Sequence, residues 1–485
     1  MKKISLQDKE ILKTIFSFSK NRKVKLYIVG GFLRDLFLER EKNNPDLDFC
    51  LKKGAINFAR ALSREIRGGF VVLDKEHGAA RIVKRIKNKT YTMDFTDFRG
   101  KDLEEDLYLR DFTINTLALS LDDLFSSDGL NAIIDLYQGK SDLKAKIIRA
   151  VNEQTFDDDP LRILRCFSFS CIFGFKIEKA TLKLVKQKKD KLSGVSFERI
   201  RDELFKILGQ DDSIEYLLLL DKYKILSIII PEIEVMRKVN QGPYHHLDVL
   251  NHSFEAVRQL EKILKERKHD KDCVNYLNEV ISSERRRIAL VKLATLLHDI
   301  GKPKAKRRLK GRTLFHGHEG IGARISLEIA KRLKLSNDEI NALRKMVFWH
   351  LRPGYLADNE EVSKRAKFRY FRDTAREGVS TLLLSLADQR ATRGPLTSLA
   401  SREQHERIVT GLIKEYFKKE KEIKPSRLLT GDDLIKKFKL KPSPLFGKIL
   451  SSIEELQAIG RIKNQKEAFR EVKKIIKKSK GVIHA

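Results

Sequence analysis

A chain of 485 residues with 99 Lys and Arg against 67 Asp and Glu, a formal net charge of +32, is too long for one ordinary core and predicts two to four domains. Its 41% hydrophobic and 34% charged residues describe a soluble, folded protein, and no apolar run approaches the ~20 residues of a membrane span. Positive charge spread over the whole chain points to a polyanionic partner, nucleic acid first, with a merely Lys-rich composition as the bland alternative. The start, Met1-Lys2-Lys3-Ile4-Ser5, lacks the apolar stretch of a secretion signal. Cys50, Cys166, Cys171 and Cys273 follow no C-x-x-C spacing, read as buried thiols and fit a reducing cytoplasm.

Residues 5–20 read as a helix with Leu6, Ile11, Leu12 and Ile15 on one face. A β-rich run, Val24 to Val29, stops at Gly30-Gly31 and opens into a helix, Phe32–Leu38. Then come a strand at Leu47–Leu51, a helix at Ala55–Ile66 and strands near Phe70–Leu73, Ala80–Arg85 and Thr90–Phe95. This is a small α/β sheet domain ending near residue 140. From Asp142 to about 240 helical patterns dominate, with no convincing strand. A helical region bearing histidines runs from about 245 to 400, interrupted by a Lys- and Arg-dense loop from Gly301 to Arg312. The last 80 residues are helical and basic, with a break at Pro442-Ser443-Pro444.

Asp46-Leu47-Asp48 lies on a predicted strand, where residues two apart share a face. The two carboxylates repel, and a divalent cation between them relieves that repulsion. Mg²⁺ suits one or two carboxylates completed by substrate phosphates. Asp94, on another strand, offers a third carboxylate. Alone, Asp-x-Asp is as readily a solvated strand edge. The preceding strand–Gly30-Gly31–helix element changes the balance, because it offers free N–H groups, a positive helix end and Arg34 to a phosphate.

Five stretches in order resemble the bacterial class II CCA-adding enzymes (tRNA nucleotidyltransferases) and their poly(A) polymerase relatives, within the polymerase-β-like superfamily. They are Gly30-Gly31-Phe32-Leu33-Arg34-Asp35 with Asp46-Leu47-Asp48; Arg110-Asp111-Phe112-Thr113-Ile114-Asn115; Asp135-Leu136-Tyr137-Gln138-Gly139; Asp158-Asp159-Pro160-Leu161-Arg162; and Arg199 to Lys206. The resemblance implies a nucleotidyltransferase head with a small mixed sheet over 1–140 and an all-α neck over 141–240. An HD domain over 241–400 and a basic, RNA-binding helical tail over 401–485 would follow. It implies tRNA, CTP and ATP as partners, with Mg²⁺ at the head. Gly30, Gly31, Arg34, Asp35, Arg110, Asp111 and Asn115 are assigned to the incoming nucleotide; a helix start capped by Asp is the plain alternative for the stretch from Arg110.

Asp159 and Arg162 are three apart, on a helix that Asp158 or Asp159 could begin, and so share a face. Carboxylate acceptors beside guanidinium donors match the Watson–Crick edges of both cytosine and adenine and mismatch guanine and uracil. The resembling family uses the corresponding residues in this way, with Arg165 as a phosphate contact. An intrahelical ion pair is the structural alternative. Arg199, Glu203 and Lys206, at i, i+4 and i+7, read as a supporting face without chemistry. The first acidic position of that stretch is Asp158, where the family usually has Glu. Only eight residues separate Phe95 from Glu104. So short a stretch resembles CC-adding members, which work with a separate A-adding enzyme, although full CCA addition stays open.

His252, Leu296-Leu297-His298-Asp299-Ile300-Gly301-Lys302 and Asp388 resemble the HD phosphohydrolase pattern. Imidazole and carboxylate donors suit a transition metal or Mg²⁺, with His318 and His350 available for a second ion or a phosphate. The implied activity is hydrolysis of damaged RNA phosphate ends. The tail stretches Thr430 to Ile435 and Pro442 to Gly447 resemble the same family's C-terminal region, which implies a grip on the tRNA elbow. The competing readings are a poly(A) polymerase and an HD phosphohydrolase whose head only binds RNA.

Overall fold

The computed structural model describes residues 4–41, 44–310, 312–421 and 427–481; Met1-Lys2-Lys3, part of the start read as lacking a secretion signal, lie outside these. Two compact units divide the chain, Met1–Ile207 with Lys222–Ile229, and Leu208–Asp221 with Ile230–Ala485. No helix among the described residues is long and apolar enough to cross a membrane.

In the first unit, strands β1 (Tyr27–Val29), β2 (Asp46–Leu51), β3 (Gly69–Asp74), β4 (Ala79–Ile86), β5 (Lys89–Asp97) and β6 (Ala118–Ser120) form one sheet, ordered β3-β4-β5-β2-β1-β6. Only β2 and β5 run parallel, which the helix between them permits. Alternation decides the faces. Leu47, Phe49, Tyr91, Met93 and Phe95 are buried on one side, where Phe49 and Phe95 stack at 4.9 Å and Phe58 of helix Ala55–Glu65 closes over Phe95. Asp46, Asp48 and Asp94 therefore turn to the other side.

Helix Leu6–Asn21 is capped by Ser5, whose hydroxyl accepts from the Asp8 N–H. Ile11, Leu12, Ile15 and Phe18 are buried, but Leu6, expected on that face, is 82% exposed. Five residues before Ile11 it lies about 140° off the stripe at 3.6 residues per turn. Beyond the sheet, short helices dominate. The expectation of no strand there misses one pair, Ile147–Ile148 with Lys176–Ile177, too short to leave a period in the sequence.

The second unit is a helix assembly built on Val249–Glu266, Arg287–Leu297, His318–Arg332, Asn337–Trp349 and Gly378–Ala391. Ser336 and Glu339 form a reciprocal capping box at the start of Asn337–Trp349. The basic stretch read as a loop is a short helix, Lys302–Ala305, followed by a hairpin of Arg307–Leu309 and Arg312–Leu314. The tail has its own core of Leu429, Leu434, Ile449, Ile453, Ile462, Ala468 and Val472. Arg365 and Arg369 hold it through Glu455. Cys50, Cys166 and Cys273 are buried thiols, whereas Cys171 is only half-buried.

Candidate active sites

The unburied face of the sheet opens into a cleft of about 990 Å³ lined by Gly30, Gly31, Arg34, Asp46, Asp48, Arg110, Asp111, Asn115, Asp159, Arg162, Arg165 and Arg199. Gly30 sits at φ +70°, and a Cβ there would lie 3.3 Å from Arg110 and 3.6 Å from the Asp48 carboxylate. A Cβ on Gly31 would come within 3.9 Å of the same carboxylate. Glycine is required at Gly30 by the backbone, and at both positions keeps the space before Asp48 clear. The Gly30 N–H, expected to be free for phosphate, donates to the Leu117 carbonyl at 3.1 Å because β1 and β6 pair up to that point. The helix start from Gly31 onward is what can meet an anion.

Asp46 and Asp48 are hard oxygen donors two apart on β2, a set suited to a divalent cation with substrate phosphates. Asp94 stands beside Asp48 in register. Its carboxylate, however, accepts two 2.8 Å hydrogen bonds from the Nε and Nη2 of Arg81, which pairs with it across β4 and β5. That clamp ties Asp94 to Arg81, a partner the sequence did not show. Asp35 likewise does not line the cleft; it lines a smaller cavity beside it and accepts from Arg34 at 2.9 and 3.0 Å. Of this pair only Arg34 lines the cleft.

Several expected nucleotide contacts form one buried chain of hydrogen bonds. Arg165 donates to Asp111 at 2.8 Å, Asn115 Nδ2 donates to Asp111 at 2.9 Å, and Arg34 donates to Asn115 Oδ1 at 2.6 Å. Burial alone would raise the Asp111 pKa, but Arg165, Asn115 and the Phe112 N–H bring it down to about 2. The Phe169 ring, missed in the sequence, lies under both Arg34 and Arg165 at 5.5 and 4.9 Å. Arg110 is held at 3.0 Å by Asp106.

Asp159 and Arg162 do line one cleft, but not from one helix. Helix Thr155–Asp158 ends before Asp159, whose backbone is extended, and a second helix runs Leu161–Phe173. Pro160 enforces the break, since it disfavours helical geometry in the residue before it. Arg162 gives three hydrogen bonds to the carbonyls of Leu109, Arg110 and Thr155, which leaves the Nε–H and one terminal N–H for a base. Asp159 pairs instead with Arg199 at 2.7 Å, so Arg199, read as mere support, takes part in the cleft. Glu203 is buried against Ser168, Lys206 and Arg165, as a supporting residue should be.

In the second unit, five predicted residues converge on Asp299. Its Oδ2 lies 3.2 Å from His298, 3.7 Å from His252 and 2.6 Å from Lys302; its Oδ1 lies 3.2 Å from His318 and 3.8 Å from His350. Asp388 accepts from His252 at 2.9 Å. His298, His318 and His350 each direct Nδ1 at a carbonyl three residues back, 2.7–2.8 Å away. That bond turns each Nε2 towards Asp299, the orientation a metal-ligating imidazole requires. Among the described residues the buried His298 Nε2 has no hydrogen-bond partner, so this donor set fits a divalent metal. Two ligand groups result, His252/His298/Asp299 and Asp299/His318/His350. A Cβ on Gly301 would lie 2.1 Å from the His318 carbonyl, so glycine lets the two ligand-bearing segments cross. His245, 4.8 Å from His252 between ring centroids, was not anticipated.

The chain matches the poly A polymerase head domain over residues 26–149, the RNA- and SrmB-binding site of polymerase A over 174–236, the HD domain over 249–393 and tRNA nucleotidyltransferase domain 2 over 325–472. It is 32% identical to an A-adding tRNA nucleotidyltransferase of Deinococcus radiodurans, covering 91% of this chain and 93% of that one. It is 27% identical to a CC-adding tRNA nucleotidyltransferase of Geobacter sulfurreducens, covering 92% and 90%. A Thermotoga maritima CCA-adding enzyme complexed with tRNA has the same fold, with a TM-score of 0.61 at 22% identity over 97% and 95% of the two chains. The sheet with its cleft, the HD centre and these relatives together show that the chain belongs to the tRNA nucleotidyltransferase family, an enzyme family of nucleotidyl transfer.

Proposed function

We propose that this enzyme adds CMP, AMP or both, from CTP and ATP, to the 3′ end of tRNA, with Mg²⁺ held by Asp46 and Asp48. The observation that carries the reading is that β2 turns both carboxylates into a cleft shared with the glycine pair, Asp159 and Arg162. In the reaction the RNA 3′ oxygen bonds to the α-phosphorus, the α–β bridging bond breaks, pyrophosphate leaves and the hydroxyl proton passes to water. Bound cations would lower the barrier by activating the hydroxyl and neutralising the departing pyrophosphate. Arg110 and the helix start at Gly31 orient the triphosphate. The Asp111–Asn115–Arg34 chain fixes the ribose side of the pocket. Asp159 and the two remaining Arg162 donors read the base edge, and closing the site on the wrong base leaves unpaired polar groups at about 1–3 kcal/mol each.

Two observations bear on how far addition proceeds. The short segment after Phe95 favours CC addition, and the identity to an A-adding relative favours terminal adenosine; either makes this enzyme one of a pair. The relatives named above are tRNA enzymes, which disfavours poly(A) synthesis. The decisive assay offers CTP and ATP, singly and together, to tRNA transcripts ending before CCA, after C and after CC, with 3′ ends then sequenced. A stop after CC, a single A added only to CC ends, and full CCA identify the three variants; no addition to any transcript would sink the assignment.

The HD centre is read as a metal-dependent phosphohydrolase acting on phosphate ends. Water adds across one P–O bond of a 2′,3′-cyclic phosphate, giving a phosphomonoester and a free ribose hydroxyl. Metal-loaded protein that hydrolyses neither cyclic nor simple phosphoesters would overturn this. The buried thiols of Cys50, Cys166 and Cys273 fit a reducing cytoplasm, and no helix among the described residues is long and apolar enough to cross a membrane.

A further inference from the structure

We propose that the hairpin of Arg307–Leu309 and Arg312–Leu314 is a polyanion-binding flap that gives the HD centre its preference for the phosphate ends of RNA strands over free nucleotides. The proposal rests on the phosphohydrolase reading of that centre. Lys304, Lys306, Arg307, Arg308, Lys310 and Arg312 are all exposed. None of the six has an ion-pair partner among the described residues, whereas Arg237 and Arg390 elsewhere in this unit each hold two carboxylates.

The register distributes these charges over both sides of the ribbon. Arg307 faces Leu314, Arg308 faces Thr313 and Leu309 faces Arg312, so successive residues alternate sides and each side carries cations. A ribbon packing one face onto the protein would keep that face apolar. Instead six like charges within nine residues repel one another, and a polyanion relieves this by displacing their counterions. Leu309 is the one large apolar side chain exposed on the hairpin, at 60%, too little apolar surface for a membrane-inserting loop.

The hairpin is also tied to the centre at both ends. It leaves from the segment of Asp299 and Lys302 and returns through Phe315 to His318. Lys302 Nζ lies 2.6 Å from the Asp299 carboxylate and 5.8 Å from the centroid of the Phe315 ring. An RNA strand bound along the ribbon therefore has its end next to Asp299, whereas a mononucleotide has too few phosphates to gain from the same charges.

The test compares the full-length, metal-loaded enzyme with a variant carrying Lys306→Gln, Arg307→Gln, Arg308→Gln and Lys310→Gln, all exposed positions. Substrates are a short oligoribonucleotide ending in a 2′,3′-cyclic phosphate and 2′,3′-cyclic AMP. The variant should lose about tenfold or more of kcat/KM on the oligonucleotide at low salt and keep its activity on the mononucleotide. Its slope of log kcat/KM against log salt should fall by about 2–3, four cations at about 0.7 each. An unchanged ratio between the two substrates overturns the proposal. Should the wild type hydrolyse neither substrate, the phosphohydrolase reading fails, and photocrosslinking of an oligonucleotide with a 3′-terminal 4-thiouridine decides the flap. Crosslinks within residues 304–316 that vanish in the variant support it. Crosslinks only elsewhere, or a variant defect confined to sedimentation with anionic vesicles, overturn it.

Discussion

Asp159 accepts its shorter hydrogen bond, 2.7 Å, from Arg199 on a separate helix and not from Arg162, three residues along the chain. On the proposed reading, base discrimination by Asp159 depends on a cation that orients its carboxylate. Arg199→Ala should lower discrimination against UTP and GTP by about tenfold, the equivalent of one poorly placed polar contact. Asp159→Asn, which exchanges an acceptor for a donor, should raise UTP and GTP incorporation outright. Misincorporation ratios on one tRNA transcript check both. Equal loss with all four nucleotides would make Arg199 a purely structural residue.

Asp48→Ala should reduce nucleotidyl transfer by about a thousandfold or more, since a metal clamp contributes several kcal/mol to the transition state. Hydrolysis at the HD centre, built in another unit from other residues, should be unchanged. Arg81→Met should have a smaller effect, through release of Asp94. Single-turnover rates with saturating nucleotide separate these outcomes.

Gly30→Ala places a Cβ at φ +70° and 3.3 Å from Arg110. The backbone strain is about 1–3 kcal/mol. Activity should fall further than stability, because the displaced groups, Arg110 and Asp48, stand in the cleft. Denaturant midpoints measured beside kcat/KM show whether the two diverge.

The Asp111 pKa is depressed to about 2, so its stabilisation is complete above the unfolded value near 3.8 and is lost as pH falls through about 2. Arg165→Met should cost on the order of 2 kcal/mol at neutral pH, with the difference from wild type narrowing between pH 4 and 2. Hydrogen exchange of the Phe112 amide, which donates to Asp111 at 2.8 Å, reports this locally. A difference independent of pH would assign the effect to lost packing.

Asp299 belongs to both ligand groups, whereas His252 and His318 each belong to one. Asp299→Ala should therefore abolish metal retention, and His318→Ala should spare the ion at His252 and His298. Removing the metal should lower the thermal midpoint of the second unit, since binding energy contributes to the folded state. Metal analysis after dialysis gives the stoichiometry. Nucleotidyl transfer by Asp299→Ala should match the wild type.

Local chemistry was readable in the sequence wherever it depends on residue spacing. Asp46 and Asp48 share a face because a strand has period two. Gly30 ends a strand because it alone tolerates the required φ, and His298-Asp299 beside Gly301 marks a close crossing of segments. What the sequence could not decide was the partner each charge would choose. Arg81 takes Asp94, Arg199 takes Asp159, and Arg165 turns to Asp111. Each of these pairs joins residues 13 to 54 apart in the chain. An ion pair forms wherever folding brings opposite charges within a few ångströms, and no local period records that distance. Leu6 is the opposite case: the helical period by itself sets it about 140° off the buried stripe, and it is 82% exposed.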